Sequence, residues 1–174
     1  MTSLWLYRLD ARLRALVPLA TALLAVLADV LPLFHVGPAS VTPLATLCVV
    51  FFWCLYRPDL FGAGAVFATG LAHDALVGLP LGLTSLVLLL VRHVVVVQQR
   101  FFVARSFPVI WCCFVLLALA AMALRWALAC LWWGRLFALE PLVFELLLTL
   151  ALYPLATLLL ARAHNWIPRM ADAS

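Results

Sequence analysis

The sequence predicts an all-α integral membrane protein with six transmembrane helices, and three observations lead to this fold class. The 174 residues are 68% hydrophobic, only 10% are charged, and the mean hydropathy is +1.21. Soluble domains contain roughly 45–50% apolar and about 25% charged residues, so a soluble domain is excluded. Disordered chains are poorer still in apolar residues. Because one span takes about 20 residues, six spans leave room only for tails and short loops. We therefore expect one membrane domain over residues 1–174.

Proline, glycine and charged residues divide the chain into six apolar segments. The predicted spans cover approximately residues 14–34, 42–56, 60–77, 81–98, 107–133 and 141–161. Turn signals separate the first four segments, and they lie at Gly37-Pro38, Arg57-Pro58 and Gly78-Leu79-Pro80. A polar loop with Gln98, Gln99, Arg100 and Arg105 separates the fourth segment from the fifth. The first segment lacks the cleavage site of a secretory signal peptide, so we expect a retained first span.

The arginines predict the orientation of the spans. All eleven basic residues are arginines, and the formal net charge is only +4, which does not indicate nucleic-acid binding. With the N-terminus inside, the outer loops hold only Arg135. The inner loops and tails hold eight: Arg8, Arg12, Arg14, Arg57, Arg100, Arg105, Arg162 and Arg169. Cytoplasmic loops carry an excess of basic residues, so both termini are predicted to be cytoplasmic. The tryptophans then fall at the two membrane interfaces.

Ionisable residues within the predicted spans include Asp29, His73, Asp74, Arg92, Arg125 and Glu145. Such residues are costly in a membrane and are therefore functional candidates. All of them except Arg92 fall in the outer half of the predicted bundle, and Arg92 lies nearer the inner side.

Two interpretations of this polar group remain open. In the structural one, Arg125 pairs with Glu145 across the last hairpin, while Asp29 and Asp74 cap or hydrogen-bond neighbouring helices. In the functional one, Asp29, Asp74, Arg125 and Glu145 line an outward-facing, water-filled cavity. Such a cavity would receive a ligand or the side chains of a partner.

The polar residues do not form a recognisable catalytic or metal site. His73 and Asp74 are adjacent on a helix, so their side chains point about 100° apart. The sequence contains no serine nucleophile elbow, no HExxH motif and no histidine pair at ligand spacing. The five cysteines have no CxxC spacing. We therefore expect a protein that is not an enzyme and that holds no cofactor or metal.

The third predicted span carries a ridge of small residues at every fourth position, formed by Gly64, Ala68 and Ala72. Small residues let helix backbones approach closely in lipid, where no hydrophobic effect drives association. The ridge therefore predicts close helix packing, within the chain or against a partner. If the packing is within the chain, Ala68→Leu should lower the yield of folded protein.

An ordered set of short motifs surrounds this span. Tyr56-Arg57-Pro58 precedes it, Gly70-Leu71-Ala72-His73-Asp74 ends it, and Leu81-Gly82 opens the next span. In these motifs, in its length and in its six spans the chain resembles the MreD family of bacterial rod shape-determining membrane proteins. Asp74 becomes the leading functional candidate, because the family pattern and the intramembrane charge coincide there.

The resemblance implies a role that composition does not reveal. MreD-like proteins are non-enzymatic components of the peptidoglycan elongation complex in the bacterial inner membrane. They bind the single-span periplasmic protein MreC and act with the filament MreB, the polymerase RodA and a penicillin-binding transpeptidase. A homo-oligomer within the MreC complex stays open. The family is also similar in fold to the S components of vitamin transporters, so a ligand-binding S component is the alternative hypothesis.

Overall fold

The chain folds into helices joined by short connections, with one small hairpin. The computed structural model describes residues 2–31, 34–36, 39–100 and 106–165, and the side chains within 16–31, 42–100 and 106–163. The elements in chain order are α1 (Thr2–Val30), β1 (Phe34–Val36), β2 (Ala39–Val41), α2 (Ala45–Tyr56), α3 (Ala63–Val77), α4 (Leu83–Val97), α5 (Phe107–Trp133) and α6 (Glu140–Asn165). These six helices of the described residues confirm the predicted all-α class. The antiparallel pair β1–β2 is an addition that the sequence did not indicate.

The helix bounds differ from the predicted segments mainly at the first one. That segment was expected at 14–34, but α1 begins at Thr2 and ends at Val30. The basic N-terminal stretch continues the helix instead of preceding it. The turn predicted at Gly37-Pro38 and the loop at Arg105 lie outside the described residues.

Within the described residues, two helices are long and apolar enough to cross a membrane, by length and composition alone. They are α5, and α6 as far as Ala163. The apolar part of α1, Leu16–Val30, and helices α2, α3 and α4 are shorter, with 12 residues in α2 and 15 in each of α3 and α4.

Helix α2 lies at the centre of the bundle. Ten of its twelve residues are buried, and it packs against α1, α4 and α6. A helix that is apolar all round is typical of such a position, because no face has to meet water. Beside it, the ring of Tyr153 stacks on Phe114 with 4.0 Å between centroids, and Phe51 meets both rings edge-on. The Trp53 indole donates a hydrogen bond of 2.9 Å to the Thr21 hydroxyl, which fixes α1 against α2.

Helices α3 and α4 form the closest hairpin of the bundle. A Cβ on Gly70 would lie 2.4 Å from the Cα of Ser85, so the two backbones touch at this glycine. The Ser85 hydroxyl donates to the Phe67 carbonyl at 3.1 Å. The connection ends α3 at Gly78 and begins α4 after Gly82, both with positive φ, +77° and +97°.

The predicted ridge of small residues does not make this contact. Gly64 and Ala68 are exposed and Ala72 is half-buried, and a Cβ on Gly64 would meet nothing within 4 Å. The packed face of α3 instead carries Val66, Thr69, Gly70, His73 and Asp74. Packing within the chain therefore gives no support to the expectation that Ala68→Leu lowers the folded yield, and that expectation stays a prediction.

Candidate functional site

A cavity of about 640 Å³ opens at one end of the bundle. Helices α1, α3 and α5 end there, and α2 and α6 begin there. Most of its wall is apolar, and its polar and aromatic lining includes Asp29, His73, Arg125, Trp126, Trp133 and Glu145. Cavities of about 300–1,000 Å³ with a few convergent polar groups are typical of binding sites.

The central polar feature of the cavity is an ion pair between α5 and α6. An Nη of Arg125 bonds Oε1 of Glu145, and the side chains are only 14% and 18% exposed. The Glu145 carbonyl also accepts a hydrogen bond of 2.7 Å from the Thr149 hydroxyl. That hydroxyl in turn accepts from the backbone N–H of Leu44 at 2.9 Å. The pair is thereby connected to the start of α2.

Asp29 caps α2 from the end of α1. One carboxylate oxygen accepts from the backbone N–H of Ala45 at 2.7 Å, and the other accepts from that of Thr46 at 3.1 Å. Helix α2 has Leu44 at its N-cap position and no side-chain cap of its own. The first N–H groups of a helix lack partners within it, and a carboxylate also complements the positive end of the helix dipole. Asp29 therefore supplies the missing cap and fixes α1 to α2.

His73 lies beside this capping carboxylate. Its Nε2 is 3.7 Å from the nearer oxygen of Asp29, and each side chain is 2% exposed. This separation exceeds a hydrogen bond. The Nδ1 of His73 is buried and has no hydrogen-bond partner among the described residues. His73 thus adds an imidazole to the cavity wall, a role that the sequence analysis did not assign to it.

Asp74 lies on the other side of α3, away from the cavity. Its carboxylate accepts from the backbone N–H of Gly82 at 2.9 Å and from that of Thr84 at 3.1 Å. These groups belong to the first turn of α4, which has no side-chain cap at Gly82 itself. Asp74 is therefore the cap of α4, as Asp29 is of α2.

Three of the four residues predicted to line one cavity are thus brought together, and Asp74 is not. The reason is the helical rotation of about 100° between neighbours. With His73 directed to the cavity, Asp74 is directed to α4. The Arg125–Glu145 ion pair and the hydrogen bonds of Asp29 and Asp74 to helix N-termini agree with the structural interpretation. Asp29, Arg125 and Glu145 also line a cavity, as the functional interpretation expects.

The other motif residues lie at turns. Tyr56 ends α2, and the N–H of Arg57 donates to the Trp53 carbonyl at 2.8 Å, closing that helix. Pro58 follows in the turn that leads to α3. Gly70 lies at the backbone contact with α4, and Gly82 adopts positive φ at the start of α4.

The described residues thus form a helical membrane bundle with a largely apolar cavity at one end. Among them no group of three or more histidine, cysteine, aspartate or glutamate side chains is placed to hold a metal ion.

Comparison with protein families identifies this class of membrane protein. The model of the family described as rod shape-determining protein MreD matches residues 10–163. The chain therefore belongs to the MreD family, and the resemblance inferred from the motifs is confirmed. Members of this family are shape-determining membrane proteins of the bacterial cell envelope, structural components and not enzymes. Comparisons with curated proteins and with solved structures found no match.

Proposed function

We propose that this protein is a six-span scaffold of the inner membrane that binds and positions MreC within the peptidoglycan elongation complex. Its termini face the cytoplasm, and its wider partners are MreB, RodA and a penicillin-binding transpeptidase. The observation that carries the proposal is the family match over residues 10–163.

The six-span topology has support from helix order as well as from charge. The cavity and the turn at Arg57 lie at opposite ends of the bundle, as alternating helices require. Reporter fusions to the two ends of the chain and to the α5–α6 connection test it. We expect both termini to report a cytoplasmic position and the Arg135 connection to report the opposite side. Opposite signals from the two termini would exclude an even number of spans.

The cavity is the best-supported contact site for MreC. Under the proposed topology it opens on the periplasmic side, where MreC extends from its single span. Its apolar walls suit apolar side chains of a partner segment. Oε1 of Glu145 accepts from Arg125, and we place a polar group of the partner against the same carboxylate. The Arg125 and Glu145 side chains are only 14% and 18% exposed, so a hydrogen bond to them is electrostatically stronger than one at an exposed surface.

Removal of both charges of the ion pair tests this site. We expect the double variant Arg125→Gln/Glu145→Gln to fold but to retain about tenfold less MreC in co-purification from detergent, as loss of a charged hydrogen bond implies. The double variant removes both charges of the pair, whereas a single substitution would leave one of them buried without its partner. Glu140→Gln is the matched control, because Glu140 lies in the first turn of the same helix and outside the cavity wall. Equal MreC recovery from both variants would contradict the assignment of the cavity.

The S-component alternative has the same cavity in its favour but not the family match. A vitamin retained by the purified protein in native mass spectrometry would support it. Family membership favours the scaffold.

A further inference from the structure

Arg92 is a charged residue on α4 without an acidic partner among the described residues. Its Nε donates to the backbone carbonyl of Phe61 at 3.3 Å, and the side chain is half-buried. The ion pairs within the described part of the chain involve Arg57, His73 and Arg125, and none includes Arg92. A guanidinium group has five N–H donors, and the described residues supply an acceptor to its Nε, so the other donors are available to an anion from outside the chain.

A second arginine lies at the same turn. The carbonyl of Arg57 accepts hydrogen bonds from the N–H groups of Leu60 and Phe61 at 3.1 and 3.3 Å. Arg57 therefore belongs to the same turn as the Phe61 carbonyl, to which Arg92 donates. The Arg57 side chain is only 13% exposed, while Asp59, 3.8 Å away, is 65% exposed. That separation is longer than a hydrogen bond, and water screens an exposed carboxylate. The turn therefore carries more positive charge than Asp59 neutralises.

The N-terminus of α3 adds to this positive potential. Gly62 occupies its N-cap position without a side-chain hydrogen bond, and its first turn contains no acidic residue. The first N–H groups of such a helix are unpaired and attract anions. Gly64 in the first turn is exposed, and a Cβ there would meet nothing within 4 Å. There is thus open space beside the unpaired N–H groups.

The shortness of α4 brings lipid headgroups toward this turn. Its 15 residues span about 22 Å, less than the hydrocarbon thickness of about 30 Å. Short hydrophobic segments thin the bilayer around them. Arg92 lies five residues before the last residue of α4, or about 8 Å along the helix. Phe67, Leu90 and Val94 are exposed on the α3–α4 hairpin and offer an apolar surface to acyl chains.

We propose that this basic turn, formed by Arg57, Arg92 and the N-terminus of α3, binds the phosphate of an anionic phospholipid. The phosphate lies between the two guanidinium groups, and the acyl chains lie on the exposed surface of α3 and α4. The proposed orientation places this lipid in the cytoplasmic leaflet, where anionic lipids attract basic residues. The binding itself does not depend on that orientation or on MreC.

Native mass spectrometry of the detergent-purified full chain tests the site with phosphatidylglycerol as the probe. We expect wild-type protein to retain phosphatidylglycerol in preference to phosphatidylcholine. Arg92→Gln and Arg57→Gln should each weaken retention of phosphatidylglycerol about fivefold, and the double variant should weaken it more than either single variant does. Arg162→Gln is the matched control, because Arg162 is an exposed arginine on α6. This variant should retain as much phosphatidylglycerol as the wild-type protein does.

Two further measurements distinguish the outcomes. Inorganic phosphate should not displace the lipid, because it lacks acyl chains, and complete displacement by phosphate would overturn the lipid assignment. Equal loss in Arg162→Gln and Arg92→Gln, or equal retention of the two lipids, would overturn the site. If Arg92→Gln does not fold, Arg57→Gln alone decides. The Arg57→Gln variant should still co-purify with MreC, so failure of the lipid site and failure of the scaffold proposal are distinguishable.

Discussion

Replacing Gly70 by alanine is expected to separate α3 from α4 and to cost about 3 kcal/mol in the free energy of unfolding, the upper part of the usual range for overpacking. The added Cβ would lie 2.4 Å from the Cα and 2.6 Å from the N of Ser85. Both atoms belong to the backbone, so no side-chain rotation relieves the clash and the helices must move apart. The movement would also disturb the Ser85 hydrogen bond to Phe67.

Thermal melting of the purified protein in detergent measures this effect. Gly64→Ala is the matched control, because it makes the same change on the same helix where a Cβ meets nothing within 4 Å. Alanine has a higher helix propensity than glycine by about 1 kcal/mol, so the control should melt at the same or a higher temperature. If Gly70→Ala melts at the same temperature as Gly64→Ala, the two helices are not in backbone contact at Gly70.

The contrast between these glycines shows what the sequence reveals about packing. The spacing of Gly64, Ala68 and Ala72 correctly identifies α3 as a helix rich in small residues. The spacing shows that these residues share one face of the helix, but it does not show whether that face packs against a neighbouring helix. Gly70 is the residue in contact, and it was conspicuous only as part of the family motif. The rotation of α3 is set by contacts with α1 and α4, which a single helix does not encode.

The polar residues show the same limit at the site. The Arg125–Glu145 pair was foreseeable, because a short hairpin brings the end of α5 close to the beginning of α6. The role of Asp29 was only partly foreseeable: a capping function was considered, but its partners lie across the β1–β2 hairpin at Ala45 and Thr46. A turn was predicted at Gly37-Pro38, but the pairing of β1 with β2 on either side of it was not. The position of the start of α2 beside Asp29 therefore could not be predicted.

Replacing Asp74 by alanine is expected to cost about 3 kcal/mol or more in the free energy of unfolding. The Gly82 and Thr84 N–H groups would lose their charged acceptor. A hydrogen bond to a charged group contributes roughly 1.5–3 kcal/mol, and a buried donor left unpaired adds its desolvation cost. Asp74→Asn keeps one acceptor oxygen but loses the charge, so its melting temperature should lie between those of the alanine variant and wild type. Asp59→Ala removes an exposed carboxylate and should change stability by less than about 0.5 kcal/mol.

The same series separates a capping role of Asp74 from a direct role in partner binding. If Asp74 acts by capping α4, rod growth should fall in proportion to the amount of folded protein. The folded fraction of Asp74→Asn should then co-purify with MreC as well as wild type does. The opposite outcome, normal protein level and melting with MreC association lost, would place Asp74 at the partner interface. The first outcome is the one expected, because Asp74 is buried against α4 and outside the cavity wall. On this expectation the family motif marks a residue that orients two helices, while the residues that we propose to meet a partner, Arg125 and Glu145, lie on other helices.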